Sequence, residues 1–178
     1  MTPKFLIIPQ IAAVIMTGLL SGVFLGNTLD LAPAMQQLDA STYIQLQQKL
    51  NQTISNYGFA LLFFGAVIFL FLSAAMAAWQ SCRRMAMYWL FVALLHFVGV
   101  YWVSVITIIP LHQEMLAWNP SVPPSDWQSL RDSWVNSNGV RTLAELVCFL
   151  ASLILVVMWE KVAAPSKYVM RKPEWEKP

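Results

Sequence analysis

The chain reads as an all-α integral membrane protein, a four-helix bundle of up-down topology whose long outer loops carry a short amphipathic helix. Three observations predict it. Hydrophobic residues make up 58% and charged residues only 11% of the sequence, a balance far from that of a soluble globular domain. Four apolar stretches reach the length of about 20 residues that a helix needs to cross a bilayer core: about 5–25, 57–79, 85–109 and 142–159. Lysine and arginine gather at one side of those stretches.

The 178 residues are read as one domain, because no run of Gly, Ser or Pro divides them. The first stretch follows Lys4 but is longer than the apolar region of a signal peptide, and no A-x-A site follows it; it is taken as a helix of the mature protein. Lys4, Arg83, Arg84, Lys161, Lys167, Arg171, Lys172 and Lys177 flank one side, and Lys49, Arg131 and Arg141 the other. Eight against three places both termini in the cytoplasm, with 161–178 as a basic cytoplasmic tail, and a bacterial inner membrane is the expected location. A tight basic turn at Ser81–Arg84 joins the second and third helices. The two outer connections are long. The first holds a break at Pro33 and then Tyr43, Ile44, Leu46 and Leu50 at helical spacing, which predicts an amphipathic helix on the outer surface. The second, Pro110 to Gly139, carries Trp118, Trp127 and Trp134, whose rings favour the headgroup level.

A net charge of +2 with no basic stripe excludes a nucleic-acid partner. Cys82 and Cys148 are expected to be free thiols. There is no P-loop, G-x-S-x-G, G-x-G-x-x-G or H-E-x-x-H motif. Asn51-Gln52-Thr53 is a formal glycosylation sequon that matters only in a eukaryotic secretory host.

Gly18, Gly22 and Gly26 repeat every four residues, which allows close approach of another backbone. An intramolecular packing face is the first reading, and a seam with a second copy or a membrane-complex partner the alternative. Beside them Gln10, Thr17, Ser21 and Thr28 form a polar lane that should face protein or a water-lined cavity. On the third helix Trp89, His96 and Thr107 are expected to share a face. His96 sits near mid-span, where an ionisable group is a site candidate by default; a neutral imidazole bonded to a neighbouring Ser or Thr fits as well. His112 lies sixteen residues on, about 24 Å along one continuous helix and on nearly the opposite face. The two cannot share a metal, and no metal site is expected. Bis-histidine haem fails on the same geometry, while a single axial ligand, with His96 the candidate, stays open. The sequence requires no cofactor and leaves haem or quinone open.

The densest polar cluster is His112, Glu114, Asn138, Arg141, Thr142 and Glu145. Asn138 is placed to cap the fourth helix, and Arg141 with Glu145, one turn apart, read either as a structural ion pair or as a poised acid or base beside a cation.

Within that region Ile109-Pro110-Leu111-His112, Trp118-Asn119-Pro120, Trp127, Trp134 and Asn138-Gly139-Val140-Arg141-Thr142 resemble the anthrone oxygenase-like membrane family, small four-helix proteins with the segments N-V-P-L-N, W-D-P and W-x-x-W-N-H-V-R-T. Pro110, Leu111, Trp118, Pro120, Trp134, Asn138, Val140, Arg141 and Thr142 fall on that pattern. Ile108 and His112 stand where the family has asparagines, Asn119 replaces the acid, Ser137 the second tryptophan and Gly139 the histidine. The resemblance implies oxidation of an apolar anthrone to an anthraquinone by dioxygen with no obvious bound cofactor. On that analogy His112, Glu145 or Glu114 serves as base, Arg141 stabilises the anion and Asn138 belongs to the site. The competing expectation is a non-catalytic accessory or structural subunit with a close-packed interior. A transporter is a third and weaker one, because the spans hold few ionisable groups.

Overall fold

The computed structural model describes residues 7–159, so Lys4 and the basic tail lie outside the described residues. Five helices account for nearly all of it: α1 (Ile8–Met35), α2 (Ala40–Ile54), α3 (Tyr57–Trp79), α4 (Arg83–Ala117) and α5 (Trp127–Val157). All but α2 are long and apolar enough to cross a membrane, and among the described residues there is no strand.

Two of the four long helices run further than hydropathy predicts because of proline. Pro33 does not break α1, and Pro110 does not end α4. Proline removes one backbone N–H and its ring clashes with the carbonyl four residues back. In both helices a π-helical stretch immediately precedes it, Asn27–Leu31 in α1 and Phe97–Trp102 with Ser104–Ile108 in α4. The wider turns shift the hydrogen-bond frame to i→i−5, as from Ala32 N–H to Asn27 O, and the helix passes through. The same widening changes which residues line up. Ser104, and not Thr107, is buried on the face of Trp89 and His96.

The fourth span also differs from expectation. It begins at Trp127, fifteen residues before the predicted start, because Leu130, Trp134, Asn138 and Arg141 recur at helical spacing on one inward face although the segment is mixed in polarity. Asn138 therefore lies mid-helix and caps nothing. The second connection shrinks to 118–126. The first holds the expected amphipathic helix: the Asp39 carboxylate caps α2 by accepting from Thr42 N–H at 3.1 Å and Thr42 Oγ1 at 2.7 Å, bonds that hold the Asp39 carboxyl below its ordinary range. The apolar face of α2 turns onto protein. Tyr43 and Ile44 are buried with Met35, the Tyr43 ring lies 5.5 Å from Trp127, and Gln48 donates to the Trp118 carbonyl at 2.9 Å. Burial without a partner for its oxygen pushes the Tyr43 hydroxyl up to about 12. Asn56 caps α3 by accepting from Phe59 N–H at 2.9 Å, and the expected tight turn after Trp79 is closed by Ser81 at φ 59°.

The bundle is apolar outside and mixed within, the reverse of a soluble domain. Leu61, Phe64, Ile68, Phe91, Val98, Leu143 and Ile154 are exposed, while Gln10, Thr17, Ser21, Ser73, His96, Ser104, Glu145 and Ser152 are buried. Lipid is the solvent that makes this stable. The polar lane on α1 faces protein for Gln10, Thr17 and Ser21, with Thr28 half-buried. Gly18 is a close-approach point, since a Cβ there would meet the Phe149 ring at 2.8 Å, and so is Gly99, where a Cβ would meet Ala144 at 2.6 Å. Gly22 and Gly26 face open space, so the glycine stripe packs within the chain at only one of its three positions.

Two clusters divide the bundle lengthwise. Near the tight turn, Ala13, Leu70, Ala74, Ala77, Met85, Trp89, Val92 and Cys148 pack together, with an open groove of about 580 Å3 between α3 and α4 beside Ala74. At the opposite end the helices are joined by polar side chains, and there a cavity opens.

Candidate functional site

At that cavity end α1 and α5 are tied by hydrogen bonds between side chains. Asn138 Nδ2 donates to Asn27 Oδ1 at 3.0 Å, Thr28 and Thr142 hydroxyls meet at 2.7 Å, and Thr142 Oγ1 donates back to Asn138 O at 2.8 Å. These pairs satisfy polar groups where lipid offers none. They leave Arg141, one turn along α5, aimed between α3 and α4.

Arg141 is 6% exposed. Its Nη1 donates to Ser104 Oγ at 3.1 Å, while the Ser104 hydroxyl donates to Val100 O at 2.6 Å, so the serine is held from both sides. The guanidinium carbon lies 4.3 Å from the centroid of the Phe24 ring, a cation over an aromatic face. Nε has no partner. The ion pair expected between Arg141 and Glu145 does not form. Glu145 turns instead to the neighbouring helix, where its Oε2 lies 2.6 Å from Nδ1 of His96, both side chains wholly buried. The two meet at ion-pair distance and not as a completed hydrogen bond, and His96 Nε2 and Glu145 Oε1 have no partner. In place of the expected serine or threonine, the partner of His96 is a carboxylate.

A cavity of about 710 Å3 opens beside Arg141, lined by residues from Ile54 to Phe64, by Ser104, Ile108, Ile109 and His112 of α4, and by Arg141. Its wall is mostly apolar and aromatic, and Ser104, His112 and Arg141 are the polar side chains that α4 and α5 contribute. That volume falls within the ~300–1,000 Å3 usual for pockets that take small organic ligands. A second cavity of about 380 Å3 on the other side of His112 shares His112, Ile54 and Asn56 with the first and continues to Gly22, Gly26 and Trp134.

Of the residues expected at the site, the structure brings His112 and Arg141 to the cavity wall. Trp134 Nε1 donates to His112 Nε2 at 2.8 Å. An indole nitrogen can only donate, so that imidazole nitrogen is the acceptor and the ring carries its hydrogen at Nδ1. The lone pair a base would use is already engaged. Asn138 stands behind the wall in its pair with Asn27. Glu145 lies one turn deeper than Arg141 and does not line the cavity. Glu114 is exposed and away from the cavity. His96 is wholly buried against Glu145 and likewise does not line it. Among the described residues no three His, Cys, Asp or Glu side chains converge as a metal site would need. Ser104, Asn27 and Phe24 carry no signal of their own in the sequence. The buried Ser104 could have been found only by knowing that the α4 turns widen.

Residues 54–151 match the sequence profile of the family described as anthrone oxygenase. The chain belongs to the anthrone oxygenase family. No curated protein and no solved structure matches it. Every residue lining the larger cavity falls within the matched segment of this anthrone oxygenase family member, whereas the smaller cavity draws on Gly22, Asn27 and Gln47, which precede it.

Proposed function

We propose that this member of the anthrone oxygenase family binds an apolar polycyclic phenol in the larger cavity and oxidises it with dioxygen, Arg141 holding the substrate as its anion. The observation that carries this reading is the coincidence of a ligand-sized aromatic cavity, a buried guanidinium on its wall and the family-matched segment. Anthrones are lipid-soluble, and loss of one proton gives an electron-rich oxyanion that reacts with dioxygen. The ring CH2 becomes a carbonyl, one oxygen atom enters the product, and the other leaves with the two hydrogens as water. A preorganised cation on a mostly apolar wall stabilises such an anion better than water does. His112 is the base on the wall, exchanging the Trp134 indole for the substrate proton.

The turn end, with Arg83 and Arg84 exposed, faces the cytoplasm of a bacterial inner membrane by the distribution of basic residues. A second reading, an accessory subunit of a larger membrane complex, is favoured by one observation: Gly22 and Gly26 present an open small-residue face suited to another helix.

The test is oxygen uptake by the detergent-purified chain with a hydroxyanthrone, with the absorption spectrum of the anthraquinone formed. Turnover that falls about 100-fold or more in Arg141→Ala supports the reading. A chain that neither binds nor oxidises anthrones, and that purifies with other polypeptides, overturns it in favour of the accessory subunit.

A further inference from the structure

The His96–Glu145 pair has no part in that reaction, yet a wholly buried imidazole and carboxylate within a membrane span are costly to keep. The two sit one helical turn behind Arg141, and Glu145 is the carboxylate nearest to Arg141 along α5. Few other groups could carry a balancing charge. Residues 8–26 of α1 and the whole of α3 contain no Asp, Glu, Lys, Arg or His. Thr17, Ser21 and Ser73 are the buried hydroxyls those helices contribute, and the titratable neighbour on α5 is the buried Cys148. Tyr101, His112 and the exposed Glu114 are the remaining titratable side chains of α4 beyond His96 on the cavity side. Three polar atoms buried around the pair, His96 Nε2, Glu145 Oε1 and Arg141 Nε, have no partner.

Charge counting then gives the pair a task. With the cavity empty, Arg141 as a cation, Glu145 as an anion and His96 neutral sum to zero. An anionic ligand beside Arg141 would leave one uncompensated negative charge in a medium that tolerates none. One proton added to the pair restores the zero.

The geometry points to His96 and Glu145 as a buried one-proton store that loads when an aromatic oxyanion binds at Arg141, so that the anion and a proton enter the bundle together. This inference rests on the ligand reading above and names the positioning residues behind it. The balance closes either way. A phenol that binds passes its proton to the pair by way of His112, which then returns to the Trp134 indole, and stays as the phenolate, with no proton exchanged with solvent. A phenolate that binds draws one proton from solvent. No covalent step is involved, and the route of the proton does not affect the count, because linkage depends only on the end states.

The experiment uses the detergent-solubilised full chain and alizarin, a hydroxyanthraquinone whose phenol and monoanion differ in colour. At a pH where the free dye is wholly the monoanion, proton exchange on binding is counted in weak buffer with a pH indicator. Wild type is expected to bind the dye as its anion and to take up one proton per dye. Glu145→Gln removes the negative charge, leaves Arg141 to neutralise the dye alone, and is expected to bind with no uptake. Dye binding by wild type with no proton taken up overturns the store and leaves the cavity reading standing, even if the variant fails to fold. Unchanged uptake in a folded Glu145→Gln also overturns it. A wild-type chain that does not bind the dye overturns the cavity reading and the store together.

Discussion

The two ends of the bundle are built from the same helices and solve the membrane in opposite ways. At the turn end α4 and α5 meet through Trp89, Val92 and Cys148 against Leu70, Ala74 and Ala77, and close packing holds them with one weak bond, from the Cys148 thiol to Val92 O at 3.7 Å. At the cavity end the same two helices meet through Ser104 and Arg141, and α1 meets α5 through Asn27 with Asn138 and Thr28 with Thr142. Lipid tails are as apolar as leucine, so the first end gains from close packing and the second from hydrogen bonds that lipid cannot supply. The lesson is a division of labour. Packing fixes the frame, and the directional bonds set Ser104 and Arg141 on a cavity wall, whereas the groove at the turn end is lined by apolar side chains apart from Ser81 and Arg83.

The sharpest way to break this comparison is Arg141→Ala. It removes the cation from the cavity wall, frees Ser104 and leaves the buried Glu145 without its counter-charge, so oxidation of a hydroxyanthrone should fall about 100-fold or more and the thermal midpoint should fall as well, as read by oxygen uptake and by melting in detergent. Leu70→Ala is the mirror experiment. Leu70 is wholly buried at the turn end, and its truncation should cost ~2–5 kcal/mol of stability with ligand affinity unchanged at low temperature, measured by denaturation and by dye titration. Trp134→Phe keeps the ring and removes the indole N–H that His112 accepts. Stability should drop by about 1 kcal/mol, while the rate at neutral pH rises because the imidazole lone pair is free. The smallest effect is expected at Gly22→Ala, where open space surrounds the new methyl; a change within about 0.5 kcal/mol agrees with a face bare in the single chain. A marked change in oligomeric state on gel filtration would instead place a partner there.

The spans were legible in the sequence because an apolar run of about twenty residues matches the thickness of a bilayer core and little else, and Arg141 was legible because it stands in the polar cluster at the mouth of the fourth run and on the Asn138–Thr142 segment that carries the resemblance. What the sequence hid is what hydropathy does not encode. Trp127 to Arg141 looks like a loop when polarity is averaged and like a helix when Leu130, Trp134 and Asn138 are read by spacing. The partner of His96 was hidden for another reason. Glu145 is one turn from Arg141 along its own helix, and the local rule for such pairs favoured that ion pair, whereas interhelical packing turned the carboxylate to His96. Thr107 was expected on the face that Ser104 occupies because an ordinary α-helical period was carried through turns that are wider.

The aromatic residues at the ends of α3 give the cavity a depth. Tyr57 is 96% exposed and Trp79 80% exposed, and the helix between them spans about 33 Å at 1.5 Å per residue, close to the thickness of a bilayer's hydrocarbon core. Rings of this kind settle at the two water–lipid boundaries. The cavity wall contributed by α3 runs from Tyr57 to Phe64, so it occupies the boundary layer and about the first 10 Å below it. A flat phenol dissolved in one leaflet lies at that same level, its hydroxyls among the headgroups and its rings among the chains. For such a molecule the leaflet acts as the reservoir, and the concentration that governs occupancy is set by its partition into lipid.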